Sequence, residues 1–232
     1  MSNRHTSALS VVFDLDGTLV DSEPNYYEAA RRVLARHGAP GFTWEHHTRY
    51  IGISTRETLA ALRAEYGIED PVDELLAAQD AVYLELARTS TEVFPEMRKL
   101  VDLLHGEGVA MAVASGSSRA AIAAVLAGTG LGAHLTVRVS ADEVAHGKPE
   151  PDVFLEAARR LGAAPADCVV LEDAAPGAVA AHAAGMRCIA IPSVASTAGE
   201  PAFAAAELLF LGGQSEFTAQ AAYDWMVGAR AS

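Results

Sequence analysis

Short apolar runs alternate with longer amphipathic ones through most of the chain. Ser10-Val11-Val12-Phe13 is a compact β-branched and aromatic run, and residues 109–114, 135–139, 168–171 and 188–191 repeat the type. Each is bounded by Gly, Ser, Asp or Pro, which predicts buried strands. Helical spacing fills the intervals 96–105, 118–126, 151–161 and 176–184. Strand alternating with helix predicts a parallel sheet with helices on both faces.

The interval from about residue 21 to 91 breaks this rhythm. It contains no good buried strand and reads as helices over 23–37, 44–50, 55–66 and 72–88. Asp70-Pro71 marks the start of the last, and Gly38, Pro40 and Gly52 mark loops. The expected organisation is therefore an α/β core built from residues 1–20 and 92–232, with an all-helical domain, 21–91, inserted after the first strand. His46-His47 is read as a pair of surface histidines, because neighbours on a helix do not share a face. Trp44 and Trp225 are read as packing residues.

Four polar elements follow the predicted strands, where open α/β sheets bind their ligands. Asp14-Leu15-Asp16-Gly17-Thr18 places two carboxylates two residues apart, with a glycine for the turn. A carboxylate can attack phosphorus, and a second can protonate the leaving oxygen and then deprotonate water. The other reading is an acidic strand end that caps a helix. Ser115-Gly116-Ser117 offers a hydroxyl and free amides to phosphate oxygens, although Ser also caps helices. Lys148 can balance charge beside a phosphate, or sit on a surface loop. Glu172-Asp173 adds carboxylates of the kind magnesium takes, or forms a solvated acidic turn.

Composition narrows the partners. The formal net charge is −13 with a pI near 5.0, which disfavours nucleic acid and anionic membranes. Of 17 basic Lys and Arg residues only Lys99 and Lys148 are lysines, which makes the place of Lys148 informative. Cys168 and Cys188 are too few for a disulfide framework and are read as buried thiols. The polar first ten residues lack a signal-peptide core, and no apolar run reaches the length of a membrane span. A cytoplasmic monomer is expected.

Together the four elements resemble the motifs of the haloacid dehalogenase superfamily. The run 11–22, VVFDLDGTLVDS, looks like its first motif; Ser115, Lys148 and Glu172-Asp173 match the second, third and fourth. The run 169–186, VVLEDAAPGAVAAHAAGM, is similar to the phosphoglucomutase-like and sugar-phosphatase branch. The resemblance implies a Rossmann-like core with a helical cap after the first strand. It implies Asp14 as nucleophile and Asp16 as general acid/base. It also implies Mg2+ on Asp14, the Asp16 carbonyl, Asp173 and Glu172, the last directly or through water. Ser115, Gly116 and Lys148 would hold phosphoryl oxygens, and Arg56, in a loop similar to the branch's specificity loop, would touch the rest of a small phosphorylated substrate. Ser54 and Glu57 equally make that loop a capping box.

Departures sort the reaction classes. Dehalogenases that resemble this chain lack the counterpart of Asp16. Phosphonate-cleaving members need a cap lysine, and residues 21–91 contain none. Mutases usually carry His twelve residues after the nucleophile, where this chain has Tyr26. The resemblance thus implies a magnesium-dependent sugar or polyol phosphatase, with a hexose-phosphate mutase as the alternative.

Overall fold

The computed structural model describes residues 9–51, 54–193, 199 and 201–228. Its centre is a six-stranded parallel sheet of order β5-β4-β1-β6-β7-β8. The strands are β1 (Ser10–Phe13), β4 (Ala110–Ser115), β5 (Val137–Ser140), β6 (Cys168–Glu172), β7 (Arg187–Ala190) and β8 (Leu208–Leu209). All four residues of β1 are buried, as a strand covered on both faces requires.

Side chains alternate between the two faces of the strands. Val11 and Phe13 join a core containing α5 (Pro95–Gly106), α6 (Arg119–Thr129) and α9 (Ala219–Gly228). Val12 turns the other way, toward α7 (Asp152–Leu161) and α8 (Ala175–Ala183). Phe13 pairs with Val113 on one side and Leu171 on the other. This register brings the polar ends of β1, β4 and β6 to one edge of the sheet.

The helical insertion hangs on a two-stranded antiparallel pair, β2 (Val20–Asp21) with β3 (Glu92–Val93). Between these strands come α1 (Glu23–Arg36), α2 (Trp44–His47), a 3-10 turn at Thr48–Tyr50, α3 (Thr55–Tyr66) and α4 (Val72–Thr89). Leu34, Leu59, Leu62 and Leu75 are fully buried and continuous with the core. The expected architecture of parallel sheet, flanking helices and helical insertion is present.

Several details differ from the sequence reading. The pair β2–β3 and the elements β8 and α9 were not anticipated, and the strand expected from residue 135 begins at Val137. His47 is not a surface residue: it is 5% exposed and lies against Tyr27 and Phe42, with Nε2 2.7 Å from a Glu23 oxygen. Adjacent helical residues point in different directions, so one of the two histidines turned inward. Trp44 packs edge-on to Tyr27 but stays 43% exposed. Cys168 and Cys188 are buried free thiols, as expected. Among the described residues no helix is long and apolar enough to cross a membrane.

Candidate active site

Asp14 leaves β1 with its amide still in the sheet ladder, donating to the Leu171 carbonyl at 3.0 Å. The chain then turns back on itself. Gly17 N donates to Val20 O, and Leu19 N and Val20 N both donate to Leu15 O. Leu15 and Leu19 are fully buried and anchor the turn. Gly17 adopts φ +82°, and a side chain there would overlap the Asp173 carboxylate, so both conformation and contact require glycine. Thr18 Oγ1 donates to Asp173 Oδ1 at 3.1 Å, tying the turn to the end of β6. Neither Asp14 nor Asp16 caps a helix; the N-cap of α1 is Ser22.

Lys148 lies between two carboxylates. Its Nζ donates to Asp14 Oδ1 at 2.6 Å and to Glu172 Oε1 at 2.5 Å. Its side chain is only 11% exposed, so it is not a loop lysine in solvent. Glu172 is fully engaged, because Oε2 also accepts from the amides of Asp173 and Ala174, each at 3.0 Å. Asp14, Glu172 and Asp173 are all buried, and one oxygen of each lies within 4.8 Å of the others. The turn after β6 is therefore not a solvated acidic one.

Three carboxylates face one ammonium, and the electrostatics show the imbalance. Burial raises the Asp14 pKa well above its usual value, and Glu172 and Asp173 add to the rise against the pull of Lys148. Burial and Glu172 push Asp173 up to about 7. Burial works against the Lys148 charge, but Asp14 and Glu172 outweigh it and raise its pKa. A further cation would relieve this excess of negative charge. The donors are all oxygens, and among the described residues no hydrogen bond falls on the Asp16 carbonyl. This set fits a hard divalent cation.

Asp16 points to the other side of the turn. Its Oδ2 accepts from Ser117 Oγ at 2.6 Å and, weakly, from Ser115 Oγ at 3.4 Å. Ser115 Oγ in turn accepts from Ser117 N at 2.9 Å, with exposed Gly116 between them. Ser115 is not a helix cap; Ser118 fills that place on α6, accepting from Ala121 N.

The structure thus brings Asp14, Asp16, Ser115, Gly116, Lys148, Glu172 and Asp173 together. It does not bring Arg56 to them. That side chain pairs with Asp73 at 2.6 Å on the exposed face of the insertion. Gly52 and Ile53 of the same loop lie outside the described residues. Ser54 does cap α3, accepting from Glu57 N at 3.3 Å.

Three contributors had no role assigned from the sequence. Ser117, the last residue of the Ser115-Gly116-Ser117 element, holds Asp16 through its hydroxyl. Tyr83, on α4, donates to Asp16 Oδ1 at 3.3 Å. Gln214 Nε2 donates to the carbonyls of Gly17 and Thr18, at 3.1 and 2.9 Å. Its partners are almost 200 residues away, and no local pattern announces it.

Residues 10–185 match the family model described as haloacid dehalogenase-like hydrolase. The chain is 37% identical over 183 residues to the fructose-1-phosphate phosphatase YqaB of Escherichia coli, covering 77% of this chain and 94% of that one. It is 35% identical over 187 residues to the bifunctional riboflavin kinase/FMN phosphatase of Arabidopsis thaliana. That match takes in 79% of this chain but only 48% of the longer plant protein. The crystal structure of CbbY from Rhodobacter sphaeroides with xylulose-(1,5)bisphosphate superposes with a TM-score of 0.74 at 25% identity, over 90% of this chain and 96% of that one. The chain belongs to the haloacid dehalogenase-like hydrolases.

Proposed function

We propose that this hydrolase is a magnesium-dependent phosphomonoesterase for a small sugar or polyol phosphate. The observation that carries the proposal is the buried array at the ends of β1 and β6. There Lys148 joins Asp14 to Glu172, Asp173 lies alongside, and a second carboxylate, Asp16, stands two residues from Asp14.

In this reading an Asp14 oxygen attacks phosphorus while Lys148 holds the other Asp14 oxygen. The bond from phosphorus to the leaving oxygen breaks, and Asp16 gives that oxygen its proton. Asp16 then takes a proton from water, whose oxygen attacks phosphorus and releases Asp14 and inorganic phosphate. Ser115 Oγ and the Gly116 region serve the phosphoryl oxygens. Asp14, the Asp16 carbonyl and Asp173 would hold Mg2+, with Glu172 acting through water because both its oxygens are already engaged. When bound, the cation neutralises charge that would otherwise repel the phosphate.

Residues 21–91 act as the cap over a core formed by 1–20 and 92–232, and Arg56 leaves Asp73 to read the part of the substrate remote from phosphorus. The sugar or polyol class is supported by the similarity to a fructose-1-phosphate phosphatase. In this proposal the enzyme acts in the cytoplasm as a monomer. A mutase is disfavoured because Tyr26 and a lysine-free cap stand where mutases carry His and Lys.

The test is phosphate release from a panel of sugar and polyol phosphates, with Mg2+ and with a chelator. Chelator-sensitive release from one or a few members is expected. Interconversion of hexose 1- and 6-phosphates without release would replace the phosphatase with the mutase.

A further inference from the structure

Among the described residues, Asp16 is the one acidic side chain at the ends of β1 and β6 that is met by a hydrogen bond from the inserted helices. Tyr83 lies on α4 and Tyr26 on α1, the last and first helices of the insertion. Their rings stack with centroids 4.2 Å apart and planes 22° from parallel. Tyr83 is 4% exposed, and its hydroxyl donates to Asp16 Oδ1 at 3.3 Å. The Tyr26 hydroxyl lies 3.4 Å from Ser117 Oγ. Ser117 spends its proton on Asp16 Oδ2, so Tyr26 is the donor in that contact. Two phenols from the cap therefore converge on one carboxylate, one directly and one through a serine.

We propose that Tyr83 is a positioning residue for Asp16, supported by Tyr26 through Ser117, so that the acid/base step is assembled only where the cap rests on the core. The inference rests on the acid/base assignment of Asp16. Asp16 Oδ1 has no other partner among the described residues, so loss of the Tyr83 hydroxyl leaves that oxygen unheld and lets the carboxylate pivot about Oδ2, which Ser117 still holds. The ring stack limits how far the phenol can move, which makes it a firmer guide than a flexible chain. Proton transfer to a leaving oxygen is sensitive to this, since a displacement of about 1 Å can cost about a hundredfold in rate. The 3.3 Å contact is long for an O–H···O bond, as catalytic contacts often are before substrate binds.

The experiment exploits the leaving group. An alkoxide is strongly basic and needs the proton; p-nitrophenolate is weakly basic and leaves without it. The ratio kcat/KM reports only steps up to transfer onto Asp14, so later hydrolysis does not enter. It is measured for p-nitrophenyl phosphate and for glycerol phosphate or a hexose phosphate, whichever wild type turns over faster. Tyr83→Phe keeps the stacked ring and removes only the hydroxyl. It should lose about tenfold on the alkyl phosphate and less than about twofold on the aryl one. An alkyl loss less than about threefold larger than the aryl loss overturns the proposal and leaves Tyr83 a packing residue. Should Tyr83→Phe fail to fold, Tyr26→Phe cuts the Ser117 arm alone, must show the same bias toward the alkyl substrate, and is judged by the same threshold. Asp16→Asn separates the two readings. If it shows no such bias the acid/base assignment falls; if it does and the tyrosine variants do not, only the positioning role falls.

Discussion

Gly177 and Glu172 share one volume: a side chain at residue 177 would overlap the Glu172 carboxylate. That carboxylate cannot swing aside cheaply, because Lys148 and two backbone amides hold both of its oxygens. Gly177→Ala should therefore act at the active site from a helix that carries no catalytic group. Turnover is expected to fall about tenfold and stability by about 1–3 kcal/mol, the usual cost of disrupting buried charged hydrogen bonds. Turnover assays and thermal melts check this, and wild-type turnover would show that the carboxylate relocates freely.

Asp14→Asn keeps the size of the side chain and removes the nucleophile. Turnover should drop more than about a thousandfold, as nucleophile removal does elsewhere. Binding of the substrate phosphate, followed by calorimetry, should persist. Residual turnover near wild type would remove Asp14 from the mechanism.

Stability should respond to pH in a direction set by Asp173. In the fold this group releases its proton at about 7, against 3.8 ordinarily. Between those values the native state holds more protons than the unfolded chain, so stability in chelator falls as pH rises from about 4 to about 7. Mg2+ binds the ionised carboxylates and should oppose that fall, so its effect on Tm should grow with pH. Asp173→Asn should flatten both trends relative to wild type. A Tm difference between magnesium and chelator that shrinks with pH would count against the cation site.

Arg56→Ala removes an ion pair whose partners are 57% and 79% exposed. Such pairs contribute at most about 1 kcal/mol, so Tm should barely move. The order of kcat/KM across the sugar-phosphate panel should change instead. An unchanged order would reduce Arg56 to a surface residue beside a helix cap.

The site was legible in the sequence wherever chemistry follows a strand. Asp14, Ser115 and Glu172 each stand at the end of a run of buried apolar residues, and Lys148 stood out because lysine is scarce. Helix starts with local signals were equally plain: α3 spans the expected residues, and Ser54 caps it by accepting from the Glu57 amide. What escaped depends on packing. Strands β2 and β3 have two residues each, too few for alternation to register. Tyr83 falls on the buried stripe of α4 with Leu75, Val82 and Leu86, where periodicity reads it as core and says nothing of its hydroxyl. His47 turned inward because Glu23 and the aromatic side chains around it offered a partner and cover, neither visible in the dipeptide.

Strand β1 is central in the sheet although it comes first in the chain. Ser10 pairs with Ala110 and with Cys168, 100 and 158 residues further along. During synthesis this apolar segment must wait unpaired while the inserted helices are completed. Assembly of the catalytic edge then requires closure of long loops, and β1 gains its second neighbour only once residues 168–171 have emerged. The segment that bears the nucleophile is thus also the one most exposed to misassociation before the protein is whole.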